Sequence, residues 1–251
     1  MTRRRVLVTG MSGLIGGAVA HGLGDRYDLC ALNRRPVDGV PCHQADIADL
    51  EAIAPAFAGI DTVVHLAASA NMGAPWEEVL AANIVGTRNV LEASRRAGAR
   101  RVVYASSGAT VSAVERDMPY SALVAGRYEK LSTWPILTHE SPLRPHGLYG
   151  ASKVWGEAVA RHYADAHALS VLCLRFGAVS AEDRPTSPRQ FSVWLSQRDA
   201  VQAVERAIEA PPEIRFGVFF LVSDNRWSYR DLAHARAVLG YVPRDRAEGH
   251  R

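Results

Sequence analysis

Arg5-Val6-Leu7-Val8-Thr9 runs directly into Gly10-Met11-Ser12-Gly13-Leu14-Ile15-Gly16-Gly17, and apolar residues at Val19 and Leu23 continue at helical spacing. A short β-branched strand, a G-x-x-G-x-x-G turn and a helix, in that order, predict the first unit of an α/β domain that cradles a dinucleotide pyrophosphate. Gly10 allows the tight turn, Gly13 lets the backbone approach the anion, and Gly16 lets the helix pack closely on the strand. The N-terminal turn of that helix, with Ser12, Leu14 and Ile15 around the glycines, presents free backbone N–H groups to phosphate oxygens.

Outward from this stretch the same rhythm repeats. Apolar runs at Leu29 to Leu32, Thr62 to Leu66, Arg101 to Ala105, Val171 to Arg175 and Val218 to Val222 alternate with helical stretches, which predicts parallel strands joined by crossover helices. Val63-Val64-His65-Leu66 and Val102-Val103-Tyr104 are nearly continuous apolar runs, as strands covered on both faces should be. The expected fold class is therefore α/β, a doubly wound parallel sheet (Rossmann) with a small C-terminal substrate-binding extension. No repeat or low-complexity linker divides residues 1–251, so one domain is expected. One excursion breaks the rhythm at residues 112–145, where Pro119, Pro135, Pro142 and Pro145 fall among scattered aromatics without a helical or strand period. It is expected to cross the substrate side of the sheet, and residues 177–195 and 223–251 are expected to supply further substrate-binding elements.

Composition narrows the functional classes. A chain of 251 residues that is 48% hydrophobic and 22% charged can bury a substantial core. The net charge of +3 comes from nearly balanced cations and anions, without the long basic run of a nucleic-acid surface. Cys30, Cys42 and Cys173 form no CxxC pair and read as reduced thiols in a cytoplasmic protein without a metal site. The basic start Met1-Thr2-Arg3-Arg4-Arg5 precedes an apolar run too short for a signal peptide. No segment reaches the roughly 20 apolar residues of a membrane span.

The second strand ends Ala31-Leu32-Asn33-Arg34-Arg35. A carboxylate there would bond the adenosine ribose hydroxyls of NAD, whereas guanidinium groups accept the 2′-phosphate of NADP. Arg34 and Arg35 favour NADP; the alternative is solvated loop charges with Asn33 bonding a ribose in an NAD enzyme. Asp46 and Ile47 suit the adenine amino group and ring face, although Asp46 could equally cap the helix near Leu50. Leu66-Ala67-Ala68 would let the cofactor pass closely, and the preceding His65 reads as a satisfied structural residue.

Tyr149-Gly150-Ala151-Ser152-Lys153 opens a helical run to Tyr163. The spacing of four puts Tyr149 and Lys153 on one face, where an ammonium and an oxidised nicotinamide would favour the phenolate of a tyrosine whose ordinary pKa is about 10. With Thr9 to Gly17, His65 to Ala68, Asn83-Ile84-Val85-Gly86-Thr87, Ser106-Ser107 and Leu174-Arg175, the chain resembles an extended short-chain dehydrogenase/reductase of the NAD-dependent epimerase/dehydratase family. That resemblance implies catalysis by Tyr149, Lys153 and a hydroxyl, Ser107, after the fourth long strand, with Ser106 structural. It implies that Asn83 fixes cofactor-side geometry. Within the family the chain is most similar to uronate dehydrogenases, in which the arginine matching Arg189 clamps the substrate carboxylate and the position of Ser69 adds a hydroxyl contact. Gly108 and Ala109 stand where polar residues are expected in that group, and Ala178 where a serine is expected. Hydride transfer between NAD(P) and a small hydroxyl or carbonyl compound, such as a hexuronate, is the implied activity. A nucleotide-sugar epimerase/dehydratase and a catalytically silent nucleotide sensor are the alternatives; the short C-terminal half argues against the first and retention of both Tyr149 and Lys153 against the second. Helices around Trp76 to Ala97 and Tyr149 to His167 resemble those of the family's homodimer interface.

Overall fold

The computed structural model describes residues 3–250; Met1, Thr2 and Arg251 lie outside the described residues, as does the side chain of Lys130. Seven parallel strands form one sheet in the order β3-β2-β1-β4-β5-β6-β7. They are β1 (Arg5–Thr9), β2 (Asp28–Asn33), β3 (Cys42–Gln44), β4 (Thr62–His65), β5 (Arg101–Ser107), β6 (Ser170–Phe176) and β7 (Phe216–Leu221). The six strands expected from apolar runs are all present. The seventh, β3, is a three-residue edge strand beside β2, too short and too polar to show a strand pattern in the sequence.

Alternation along each strand divides the core in two. Val6, Val8, Val64, Val103, Leu172 and Leu174 face one layer, with Val19 and Leu23 of the helix Leu14–Leu23 and Ala200, Ala203 and Ala207 of the helix Gln197–Glu209. Leu7, Val63, Val102, Tyr104, Val171 and Cys173 face the other, with Val90 and Leu91 of the helix Thr87–Arg96 and Ala160 and Tyr163 of the helix Gly147–Ala166. Burial on both faces explains why these strands lack the apolar-polar alternation of a half-exposed sheet. Between β1 and β4 the connections switch from one side of the sheet to the other, and the crevice at the carboxyl ends of these two strands is the topological position for a ligand.

The excursion at 112–145 forms 3-10 turns, a short helix at Tyr120–Val124 and an isolated bridge from Leu137 to Arg230. Val114 and Leu123 from this segment bury themselves with Val193 and Tyr229, and Tyr128, Trp134 and Trp227 pack around them in a third, smaller cluster. The rings of Tyr128 and Trp227 stack at 3.9 Å, and the Trp134 indole donates to the Ser228 carbonyl at 2.9 Å. The scattered aromatics of the sequence therefore have a common destination: they join the excursion to the C-terminal segments.

Arg101, at the start of β5, is wholly buried, and among the described residues its partners are carbonyls and a hydroxyl, with no carboxylate. Its guanidinium donates to the carbonyls of Ala207 at 3.1 Å and Pro211 at 2.9 Å, and its Nε to the Ser170 hydroxyl at 3.1 Å. Those carbonyls lie at the C-terminal end of the helix Gln197–Glu209, where backbone acceptors have no partner in the helix and the dipole favours a cation. Arg101→Ala should strand several buried carbonyls and lower stability by about 3 kcal/mol or more, measured as the midpoint of urea unfolding.

Candidate active site

The glycine turn closes the crevice from the β1 side. Gly10 has φ +71°, and a Cβ on it would stand 2.8 Å from the Ala67 backbone, so a side chain there would separate the ends of β1 and β4. A Cβ on Gly16 would stand 2.4 Å from the Gly10 carbonyl, which keeps the helix close against its own strand. Gly10, Ser12, Gly13, Asn33, Arg34 and Arg35 line a cavity of about 380 Å³ together with Asp46, Ile47, Leu66, Ala67, Ala68 and Ser69. Of the remaining turn residues, Leu14 is exposed and Ile15 packs against the core.

Buried polar side chains hold this cavity's rim. Thr9 Oγ1 accepts from the Ala67 N–H at 3.1 Å and lies 2.7 Å from His65 Nδ1, while His65 Nε2 lies 3.2 Å from Thr87 Oγ1. Burial, with a smaller contribution from the Lys153 charge, pulls the His65 imidazole down to about 3, so it is a neutral ring that ties β1, β4 and the following helix together. Asn83 lies in the π-helical segment Leu80–Gly86. Its amide accepts from Ser69 N at 2.8 Å and donates to Ser69 O at 3.0 Å and Ser152 Oγ at 2.9 Å. Expected among the cofactor-binding residues, Asn83 is fully buried and spends its amide on the protein; it fixes the loop after β4 against the helix that carries Tyr149. The Ser69 hydroxyl is buried without a partner.

At the β2 end, Asn33 Nδ2 donates to Ser12 Oγ at 2.9 Å and to the Arg35 carbonyl at 3.0 Å. Arg34 and Arg35 are exposed. The cap of the helix Leu50–Ile53 is Asp49, which removes the capping alternative for Asp46. Asp46 instead accepts from Ala48 N at 2.9 Å.

Tyr149 and Lys153 lie on the first turns of the helix Gly147–Ala166. A Cβ on Gly150 would meet the Ala109 carbonyl at 2.6 Å, so glycine lets the helix start close to the loop leaving β5. That approach brings the Tyr149 phenol beside Ser107. Burial pushes the phenol up, and the neighbouring Ser107 hydroxyl pulls it back down. Lys153 Nζ donates to the Ala105 carbonyl at 2.7 Å and stands 5.7 Å from the Tyr149 ring centroid. Burial draws the Lys153 ammonium down to about 7.

The two adjacent serines have separate tasks. Ser107 Oγ accepts from Ala109 N at 3.1 Å and meets Tyr149, whereas Ser106 Oγ donates to Glu157 Oε1. Glu157 also receives Arg175 Nε at 2.8 Å and Nη2 at 2.7 Å, all three side chains being buried. Sequence reading did not single out Glu157; its position four residues after Lys153, on the same helix face, was the available signal.

Arg189 is paired within the protein. Its Nε and Nη2 donate to the two carboxylate oxygens of Glu115 at 2.6 and 2.8 Å, and the Tyr229 hydroxyl also donates to Glu115. The expected free carboxylate clamp is thus already occupied by a carboxylate of the excursion. The sequence could not show this pairing because Glu115 lies 74 positions away.

A glycine-turn crevice beside a Ser-Tyr-Lys constellation defines a nicotinamide-dependent oxidoreductase of the extended short-chain dehydrogenase/reductase type. The chain belongs to the NAD dependent epimerase/dehydratase family, whose model matches residues 6–198. It is 35% identical over 250 residues to an NAD-dependent glucose-6-phosphate dehydrogenase of Haloferax volcanii, covering 96% of this chain and 93% of the relative. It is 36% identical to an L-arabinose 1-dehydrogenase (NAD(P)(+)) of the same organism, covering 96% of each. The solved uronate dehydrogenase from Agrobacterium tumefaciens superposes with a TM-score of 0.84 at 31% identity, covering 100% of this chain and 88% of that one.

The buried lysine carries a measurable signature. Its folded value of about 7 lies below the ordinary 10.5, so between those values the unfolded chain holds a proton that the folded chain lacks, and stability rises with pH. Below about pH 7 the full cost of burying the ammonium is present. In the protein without cofactor, the melting temperature of Lys153→Met relative to wild type should be highest near pH 6 and should decline steadily towards pH 9.5.

Proposed function

We propose that this protein oxidises the anomeric hydroxyl of a sugar acid, such as a hexuronate, to the lactone, with NAD(P) as electron acceptor. The carrying observation is the meeting of Ser107 and Tyr149 at the mouth of β5, with Lys153 one helical turn further along and bonded to the Ala105 carbonyl. A substrate hydroxyl placed against these groups would receive a hydrogen bond from Ser107 and give its proton to Tyr149. A positive charge at Lys153 would favour the phenolate through the buried medium between them. Tyr149 is raised by burial, so proton removal gains from the positive charge that an oxidised dinucleotide brings. When bound, that dinucleotide supplies the two-electron acceptor; the protein supplies position and proton transfer.

The cavity fits such a group on its own geometry: backbone would collide with any side chain at Gly10, and the cavity reaches from the turn to Asp46 and Ile47. Ser69, with its buried hydroxyl free, is placed to bond a substrate oxygen. Asn33 would meet the adenosine ribose, and the exposed Arg34 and Arg35 line the same groove as Asp46 and Glu78, with no ion pair to either arginine among the described residues. This arrangement supports acceptance of both nucleotides, with NADP favoured.

Tyr149→Phe should lower kcat for sugar-acid oxidation on the order of 100- to 10,000-fold while dinucleotide binding persists. Stoichiometric formation of reduced nicotinamide, followed by absorbance across hexuronates, sugar phosphates and neutral aldoses, reads the activity directly. Turnover without net reduction would instead mark an epimerase. Joint replacement of Arg34 and Arg35 by alanine should weaken NADP binding by about tenfold or more and leave NAD nearly unchanged, measured by fluorescence titration; equal loss for both nucleotides would remove the NADP preference.

A further inference from the structure

Gly108 directly follows Ser107 in the loop leaving β5, at a position where the family resemblance leads one to expect a polar residue. The structure shows what occupies the space. A Cβ on Gly108 would stand 2.2 Å from Arg230 Nη2 and 2.3 Å from both Cζ and Nη1. The guanidinium of Arg230, contributed from 122 residues further along the chain, therefore lies directly over the backbone beside the catalytic serine.

Arg230 is only 4% exposed, and its Nε and Nη1 are buried without a hydrogen-bond partner. Its flat face is covered, with Cζ 5.6 Å from the Tyr229 ring centroid and 6.0 Å from that of Phe220. Its backbone is fixed by the bridge to Leu137 and by donation from its N–H to Ser228 Oγ at 3.2 Å. The nearby Glu115 provides a compensating negative charge, but its oxygens receive Arg189 and Tyr229. A buried guanidinium with unused donors is costly, and its planar fork matches a carboxylate or phosphate group.

We propose that Arg230, admitted by Gly108, is the specificity residue that receives the anionic oxygen group of the sugar substrate, the task expected of Arg189 from the family resemblance. Arg189 instead holds Glu115 and thereby the wall of the excursion beside Arg230. This assignment rests on the oxidoreductase reading above and deepens it. The substrate is a sugar carrying an oxyanion, either a carboxylate as in hexuronates or a phosphate as in sugar 6-phosphates, oriented by the guanidinium so that its hydroxyl meets Ser107 and Tyr149.

The test compares kcat/KM for glucuronate, galacturonate and glucose 6-phosphate with that for glucose, galactose and arabinose in the full-length enzyme with NAD(P). Arg230→Gln should lower the anionic-to-neutral ratio by roughly 30- to 100-fold, chiefly through KM for the anionic substrate, and Arg230→Lys should recover part of it. The favoured anionic arm tells carboxylate from phosphate. Gly108→Ala, whose added Cβ displaces the guanidinium, should shift the ratio in the same direction and add little to Arg230→Gln. A ratio unchanged in Arg230→Gln, a larger loss in Arg189→Gln, or a wild-type preference for neutral sugars would overturn the assignment. Binding of galactarate, a dicarboxylate without an anomeric hydroxyl, to the NAD-loaded protein by calorimetry reads the same site without turnover. Binding lost in Arg230→Gln with NAD affinity retained supports the proposal; no binding by wild type, or equal binding by both, overturns it. Absence of net reduction with every sugar, beside Arg230-dependent galactarate binding, would defeat the proposed reaction and leave the anion site standing.

Discussion

A buried carboxylate fixes the geometry on which the rest of the site depends. Glu157, nearly three turns into the helix Gly147–Ala166, is held by the Arg175 fork from β6 and by the Ser106 hydroxyl from β5. Such a pair gains little net stability, because two charges lose water to form it, but removing either partner leaves the other uncompensated. Its consequence is positional: helix and strands are locked in one register, so Lys153 one turn earlier meets the Ala105 carbonyl and Tyr149 meets Ser107. Asn83 closes the same frame from the other side through Ser152 and Ser69.

Within this frame the site keeps its charges few. His65, at the sheet centre, is held neutral by burial and bonded to Thr9 and Thr87, so it adds no cation beside Lys153. The lysine itself is drawn down by lost hydration and keeps a single carbonyl as hydrogen-bond partner with ring faces nearby. A poorly hydrated ammonium interacts strongly with any charge that develops close to it, because little water intervenes to screen it. Arg230 shows the same economy on the other side of Ser107, where a buried guanidinium with unpartnered donors stands beside the loop from β5.

The fold and the residues that gather at the candidate site were legible from local sequence. Strands buried on both faces show themselves as β-branched runs, and the turn at Gly10 to Gly16 is confined to glycine by contacts with its own helix and with Ala67. Tyr149 and Lys153 share a face because they are one helical turn apart. Less was legible where partners are remote in the chain. The Glu115-Arg189 pair was hidden because the excursion that carries Glu115 has no regular period; its course follows from burial of Val114 and Leu123 against Val193 and Tyr229. The edge strand β3 was hidden for the opposite reason, since its pairing with β2 is made by backbone and leaves little mark on side-chain choice.

The sequence by itself determined the parallel sheet, the glycine turn and the placing of Tyr149 and Lys153 on one helix face, because each is written in residues within a few positions of one another and follows from backbone geometry. Only the tertiary structure decided which arginine is free. Arg189 and Arg230 are alike as residue types, and their difference lies in what packs beside them. One meets a carboxylate 74 positions away, and the other occupies the space that a missing side chain at Gly108 leaves open. Long-range packing makes that choice, because the availability of a charged group depends on the partners that the folded chain brings to it.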